Sequence, residues 1–575
     1  MKINSTKNVQ TNLNSVSKEQ AQHGHLNHMS GVSYDINNPI TQLRIVASSC
    51  FFGEPMYYHE DNAKNQALLS KGVSEYSSKD STYQYLDKVL NSIIDIPNYH
   101  HYSPARLIET SIDAALDFDP EATLKEAVRL RNEENIRTTP QVIMVRAANH
   151  PKVRGTGLIN KYFSHIMKRT DEASVQLAYQ VQVFGKPIPN ALKKSWKKFL
   201  ENRSEYDLAK YKMENRKFKT VDVVNLVRAH SVEIDSLMRG GLKLSEDDTW
   251  EALISQKGST KENWTKAVEL MGHMALLRNL RNLHQAGVDP KVYVDKLVNT
   301  AKNGKQLPFR YYAAYQQIKD IGVSGKVLDA VEKCLELSLG ELPTFSGKVM
   351  SLCDNSGSAQ GTTTSSMGTV RVADIANLTA VLTGKVAEDG YIGIFGDKLK
   401  VKPVRKNASV FDQVKEVTKD SKDIGMGTEN GIWMFFDKAI KEMEHWDHIF
   451  VYSDMQAGHG DLYGLSPSQY KDYLWNGTSD IDVAKLITEY RKKVNPDVKV
   501  YLVQVAGYRD TLVPEFYDKT YVLGGWGDGI LRFAHYLGNV TEAKNNLNNQ
   551  SENKQGENEV QKTPKVIKKK SRVKM

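Results

Sequence analysis

Cysteine is nearly absent from this chain, and no apolar run in its 575 residues reaches the length of a membrane span. Only Cys50, Cys334 and Cys353 occur, an odd and scattered set that rules out a disulfide framework and a cysteine-rich zinc site and fits a reducing compartment. The opening "MKINSTKNVQTNLNSVSKEQ" has none of the apolar core of a signal peptide. These gaps together predict a soluble, cytoplasmic protein. Charge of one sign is not in large excess either. Lys and Arg number 77 against 68 Asp and Glu, a net charge of +9. That balance permits a polyanionic partner without requiring one, so the placement of charge matters more than its sum.

What is present is enough for two or three domains with proper cores, since 40% of the residues are hydrophobic. Residues 1–37 are polar and without a periodic apolar face, which predicts a disordered arm. Its His23, His25 and His28 could bind a metal or be plain tail residues. Residues 538–575 read as a second disordered tail, ending in a basic cluster.

From residue 38 to 342 apolar residues recur every three or four positions, with Pro and Gly between the stretches. "ATLKEAVRLRNEEN", "DVVNLVRAHS", "HMALLRNLRNLHQAG" and "GKVLDAVEKCLELSL" each read as one amphipathic helix. Many short helices in succession predict HEAT-like stacked pairs, although no strict repeat period is found. Over 343–537 the rhythm changes. "GKVMSLC", "YIGIFG", "HIFVYSD" and "VKVYLVQVAG" read as strands, and "TVRVADIANLTAVLTGKV", "ENGIWMFFDKAIKEM" and "VAKLITEYRKKV" as helices between them. Strands alternating with helices predict a doubly wound, mainly parallel α/β sheet, with ligands at the carboxyl ends of its strands.

At such an end stands "SLCDNSGSAQG", where Asp354, Ser356 and Ser358 occupy alternate positions. Thr428 in "IGMGTENG" and Asp454 in "SDMQAGHG" fall at the same edge. Two carboxylates and three hydroxyls form an oxygen-only set that suits Mg²⁺. The alternative is that Asp354 and the serines only cap the following helix. The pattern D-x-S-x-S, then Thr, then Asp resembles the metal-ion-dependent adhesion site (MIDAS) of von Willebrand factor A domains, with all five positions filled. The resemblance implies a cation with one open position for a partner's carboxylate.

A second stretch with chemistry is "LKKSWKKFLENRSEYDLAKYKMENRKFK". Treated as a helix, it places Leu192, Trp196, Phe199 and Leu200 on one side and Lys193, Lys194, Lys197 and Lys198 on the other. Between Lys193 and Lys219 there are ten basic and four acidic residues, so most of the chain's excess charge sits here. Lys210, Lys212, Arg216, Lys217 and Lys219 continue the ridge, Arg228 and His230 follow it, and Arg146, His150, Lys152 and Arg154 precede it. Such a ridge neutralises phosphates, or it is a solvated helix face. Tyr206, Tyr211 and Phe218 could stack on bases or pack in the core.

The order of these parts resembles the Ro ribonucleoprotein, or TROVE-module, family, in a bacterial or phage-type form with a C-terminal von Willebrand factor A domain. "LRIVASSCFFGEPMYY", "LRNEENIRTTPQVIMVRAA", "LAKYKMENRKFKTVDVVNLVRAHS", "TWEALIS" and "LPFRYYAAY" carry the likeness over about residues 38–537. It implies a monomeric ring of helical repeats closed by the A domain, with no catalytic activity. It also implies small noncoding Y-type RNA on the outer basic surface, single-stranded ends of misfolded RNA in the central hole, and tethering to an exoribonuclease. His230 matches the histidine that ends the family's Tyr-basic-Asp-His segment, and Lys212, Arg216 and Lys217 its basic stretch. Two other readings remain. One is a metal-dependent protein-interaction module without RNA, and the other an enzyme using Asp354 or Mg²⁺, which the lack of a G-x-x-x-x-G-K-[ST] loop disfavours.

Overall fold

The structure is a computed structural model that describes residues 24–26, 32–49, 104–214, 218–339, 342–361, 370–425, 430–455, 473–474, 481–506, 510–513, 519–525, 530–532 and 534–535. Between Pro39 and Leu339 every regular element among the described residues is helical. Local chemistry sets the helix starts. Asp119 accepts from Ala122 N at 2.9 Å ahead of Pro120, Ser231 Oγ accepts from Ile234 N at 3.1 Å, and Thr260 Oγ1 accepts from Asn263 N at 3.2 Å. Some helices, such as Thr138–Asn149, are buried nearly all round, and others bury one stripe. In the helix Asn190–Glu201 the stripe is Leu192, Trp196 and Leu200, all fully buried.

The ridge stretch expected as one helix is two. Its helix ends at Glu201, and Ser204 starts a new one, Glu205–Lys210, by accepting from Asp207 N at 3.1 Å. Beyond Tyr211 the described backbone leaves helical geometry until Thr220.

Nine strands are described: β1 Gly24–Leu26, β2 Val32–Asp35, β3 Phe345–Asp354, β4 Ala387–Phe395, β5 Leu399–Pro403, β6 His448–Ser453, β7 Lys499–Gln504, β8 Asp510–Thr511 and β9 Thr520–Gly524. Six form one sheet in the order β5-β4-β3-β6-β7-β9. Only β4 and β5 pair antiparallel within it; every other neighbouring pair is parallel. The helix Val372–Val386 carries the chain from β3 to β4 and packs on β3, β4 and β6. β3 lies between β4 and β6, so the chain leaves it in one direction and later returns on its other side. That reversal opens a crevice at the carboxyl ends of these strands.

Both faces of the sheet are covered. On one, Met350, Leu352, Ile449, Val451, Val500 and Leu502 pack with the helices Gly431–Lys441 and Val483–Lys493. On the other, Val349, Cys353, Ile394, Phe450, Tyr452 and Val503 share one continuous apolar cluster with helices from Leu253 to Leu339. The expected boundary at residue 342 is thus a change of texture, not a break in the core. The far end of the helical stretch also reaches the sheet. The helix Pro39–Ser49 packs against β9, where a Cβ on Gly524 would stand 2.6 Å from the carbonyl oxygen of Ile45.

One expectation is corrected here. Composition predicts a disordered arm over 1–37, yet β2 pairs antiparallel with β8, Tyr34 is buried, and its hydroxyl donates to Asp482 Oδ2 at 2.9 Å. The four-residue strand is too short to signal itself, and its partner lies near the other end of the chain.

Candidate metal centre and basic face

Asp354 ends β3 and is fully buried. Its Oδ1 accepts from Ser356 N at 2.9 Å, which is a capping turn over the short helix Gly357–Gly361. Capping uses only one of its oxygens. Oδ2 accepts from the hydroxyl of Ser453, the last residue of β6, at 2.8 Å. The same Ser453 oxygen accepts from Met455 N at 2.9 Å, a turn in which Met455 takes a φ of +61°. Asp454 is thereby held beside Asp354, with its carbonyl oxygen fixed by Gln504 Nε2 at 2.9 Å. Ser356 and Ser358 lie hydroxyl to hydroxyl at 3.2 Å.

Four of the five residues of the acidic motif are therefore brought to one sheet edge, and Thr428 lies outside the described residues. Burial, and then the charge of Asp454, raise the Asp354 carboxyl well above the usual carboxylate range, against the hydrogen bonds from Ser356 and Ser453. Among the described residues no basic side chain pairs with Asp354. Two buried carboxylates and two hydroxyls, with no soft donor, fit a hard divalent cation. Asp354 and Asp454 would hold it, with Ser356 and Ser358 at hand. Such a cation would neutralise the acid pair and offer a coordination position to an incoming oxygen.

The loop behind Asp354 is held by a network of hydrogen bonds. Asn355 exchanges amide hydrogen bonds with Asn377 at 2.7 and 3.1 Å, and its backbone N donates to Phe395 O at 2.8 Å. Gln360 Nε2 donates to Asn355 Oδ1 at 2.9 Å, and Arg371, paired with Asp374 at 2.9 Å, donates to Gln360. Sequence reasoning misses all of these partners. Asparagine and glutamine around an acidic loop read only as turn residues until the fold brings them together.

On the basic side, Lys194 and Lys198 are exposed on the helix Asn190–Glu201, and Lys193 and Lys197 are half-buried. Trp196 anchors this helix from behind, its Nε1 donating to Gln176 Oε1 at 2.7 Å. Glu201 joins two expected elements: it lies 3.7 Å from Lys197 and accepts from His230 N at 3.1 Å. The His230 side chain is 76% exposed, beside Asp235 at 3.9 Å. Lys219 and Arg228 are exposed, and Lys210 is exposed while donating to Tyr206 at 3.0 Å. Lys212 turns inward to donate to Leu242 O. Arg216 and Lys217 lie outside the described residues.

Upstream, Arg146 is not a surface cation. It is 9% exposed, donates to Asp113 at 2.7 Å and to Tyr179 at 2.7 Å, and stands 3.5 Å from Glu109. The expectation that it meets phosphate is corrected by this burial: two carboxylates already neutralise it. His150 is 3.4 Å from Asp117, and Lys152 donates to the Asp117 carbonyl. Arg154 is exposed. Two further cations join this side of the molecule without a signal in the sequence, Arg169 over the Tyr211 ring at 4.6 Å and Arg203 over Phe199 at 4.3 Å.

Residues 237–338 match the family model of the TROVE domain. That stretch of the chain is therefore similar to a TROVE domain. The matched segment runs from the end of the helix Val232–Met238 through Gly325–Leu339, so the basic ridge precedes it. Among solved structures, the crystal structure of the Deinococcus radiodurans RO (RSR) protein is similar at 13% identity, with a TM-score of 0.49, covering 86% of this chain and 99% of that one. No curated protein matches. No helix among the described residues is long and apolar enough to cross a membrane.

Proposed function

We propose that this chain is a noncatalytic RNA-binding protein of the Ro kind, acting in RNA quality control or decay. The observation that carries the reading is the face of Lys194, Lys198, Arg228 and His230. Its backbone is braced by the Glu201 link between two helices and by the buried Trp196. Cations fixed on a rigid wall meet phosphates at little entropic cost. On this reading a small structured RNA of the Y type lies along that face. The contact of both ends of the helical stretch with the sheet supports a closed ring, whose hole would admit single-stranded RNA ends. An exoribonuclease is the partner that such a role requires. The sheet then serves as a von Willebrand factor A-like domain in which Asp354, Ser356, Ser358, Thr428 and Asp454 hold Mg²⁺ for a protein partner's carboxylate.

Gel shift with a structured RNA bearing a single-stranded 3′ tail tests the proposal. Lys194→Glu with Lys198→Glu should weaken binding several-fold at low salt; unchanged affinity would refute the assignment. The second reading, a metal-dependent protein-interaction module without RNA, draws on the buried Asp354 and Asp454 pair. It requires that purified protein carry no nucleic acid and ignore added transcripts, which the ratio of absorbance at 260 and 280 nm checks directly.

A further inference from the structure

Asn430 precedes the helix Gly431–Lys441 and is 1% exposed, and its side-chain oxygen has no hydrogen-bond partner among the described residues. Asparagine in this place ordinarily turns back to cap the helix. Here it does not: its backbone is already helical, at φ −59° and ψ −26°, and no capping bond forms. A buried amide oxygen left unpaired is costly, so an orphan of this kind calls for an explanation outside the helix.

Its location supplies one. Gly431 N donates to Gly396 O at 3.1 Å, and a Cβ on Gly431 would stand 2.2 Å from that of Phe395. Only glycine allows this approach, and it presses the helix start onto the carboxyl end of β4. Phe395 is the register partner of Asp354, and its carbonyl oxygen accepts from Asn355 N at 2.8 Å. Asn430 therefore stands at the same strand edge as Asp354, Ser356, Ser358 and Asp454. An orphaned buried oxygen thus stands at the strand edge that also carries the two buried acids Asp354 and Asp454.

We propose that Asn430 supplies a neutral oxygen donor to the divalent cation that Asp354 and Asp454 would hold. The inference rests on the metal reading of that site. An amide oxygen is a hard donor that adds no charge, so the two carboxylates still balance a divalent ion. The cation satisfies the orphan when present and leaves it unpaired when removed.

The test uses the full chain, with Mn²⁺ alone as probe, free Mn²⁺ being read by electron paramagnetic resonance and melting being followed in chelator. Asn430→Leu removes the oxygen while keeping the branched shape of the side chain. It should weaken Mn²⁺ binding about tenfold and raise the melting temperature in chelator, because an unpaired polar atom is gone. Asn430→Asp keeps an oxygen in place and should bind Mn²⁺ at least as tightly as the parent. If Asn430→Leu binds Mn²⁺ like the parent while Asp354→Ala does not bind it, the donor role is overturned and the metal site stands. If Asn430→Leu and Asn430→Asp lose binding alike, or Asn430→Leu melts lower in chelator with its affinity unchanged, Asn430 is structural and the proposal fails. If Asp354→Ala binds as the parent does, the metal reading itself falls.

Discussion

The carboxylate of Glu332 reaches out of the helix Gly325–Leu339 and accepts from the hydroxyl of Ser409 at 2.7 Å, capping the helix Val410–Asp420 from outside. The backbone N of Val410 donates to the same carboxylate. Beside it, Phe411 packs between Tyr312 and Tyr315, with ring centroids 5.7 and 4.6 Å away. The segment similar to a TROVE domain and the helix Val410–Asp420 are thus joined by a charge-assisted cap set beside an aromatic contact.

Removing that cap should loosen the junction. Glu332→Ala is expected to lower stability by about 1–3 kcal/mol, since it leaves partly buried donors unpaired, and Glu332→Gln should lose less. Urea unfolding followed by tryptophan fluorescence measures both. Equal, negligible losses would show that the aromatic packing holds the junction without the cap.

A second expectation concerns the acid pair. Burial and the neighbouring Asp454 disfavour the charged form of Asp354, so Asp354→Asn should raise the melting temperature in chelator. The same change should erase the stabilisation by Mg²⁺, which for the parent is about 2.7 kcal/mol at a hundred times the dissociation constant. A parent that melts identically in Mg²⁺ and in chelator would contradict the site.

The strands that are readable in the sequence are those buried on both faces, such as β3, β6 and β7, whose apolar runs are continuous. β5, "LKVKP", gives no such signal because it is an edge strand whose lysines face outward to Asp420. β2 and β8 give none because they are short and pair across nearly the whole chain. The acidic motif is legible because three of its members are local in the sequence. Asn430 is not, since Asn before a helix reads as a cap and only coordinates reveal that no cap bond exists. Arg146 misleads for the same reason: its acid partner Asp113 lies on the preceding helix but one, and no local pattern announces the pair.

That burial separates two kinds of basic residue. Arg146→Ala should cost roughly 3–5 kcal/mol, because Glu109, also buried, loses its counter-charge. Lys194→Ala and Lys198→Ala should leave stability within about 0.5 kcal/mol while lowering the salt slope of RNA binding by about 0.9 for each phosphate no longer neutralised. Thermal melts paired with gel shifts at several salt concentrations give both numbers. An Arg146 variant that melts like the parent yet binds RNA poorly would return Arg146 to the proposed RNA-binding face.

His273 provides a pH test of the helical segment 237–338. It is 6% exposed, with Nδ1 3.1 Å from Leu297 O and Nε2 2.9 Å from the hydroxyl of Tyr311. Burial lowers its pKa, against the pull of the Leu297 carbonyl, so the folded protein holds the ring neutral. In the unfolded chain the imidazole takes up a proton near pH 6.5. Below that pH the unfolded state therefore binds more protons than the native state, and acid favours unfolding. The stability due to a neutral His273 is fully present above about pH 6.5 and is lost progressively as the pH falls toward the lowered folded value. His273→Gln removes this proton uptake while keeping a polar side chain between Leu297 and Tyr311. It should lower the melting temperature at pH 7.5 but flatten its fall between pH 6.5 and 5, the other histidines cancelling in the comparison. Parallel melting curves for the two proteins across that range would mean that the fold does not hold His273 neutral, in spite of its burial.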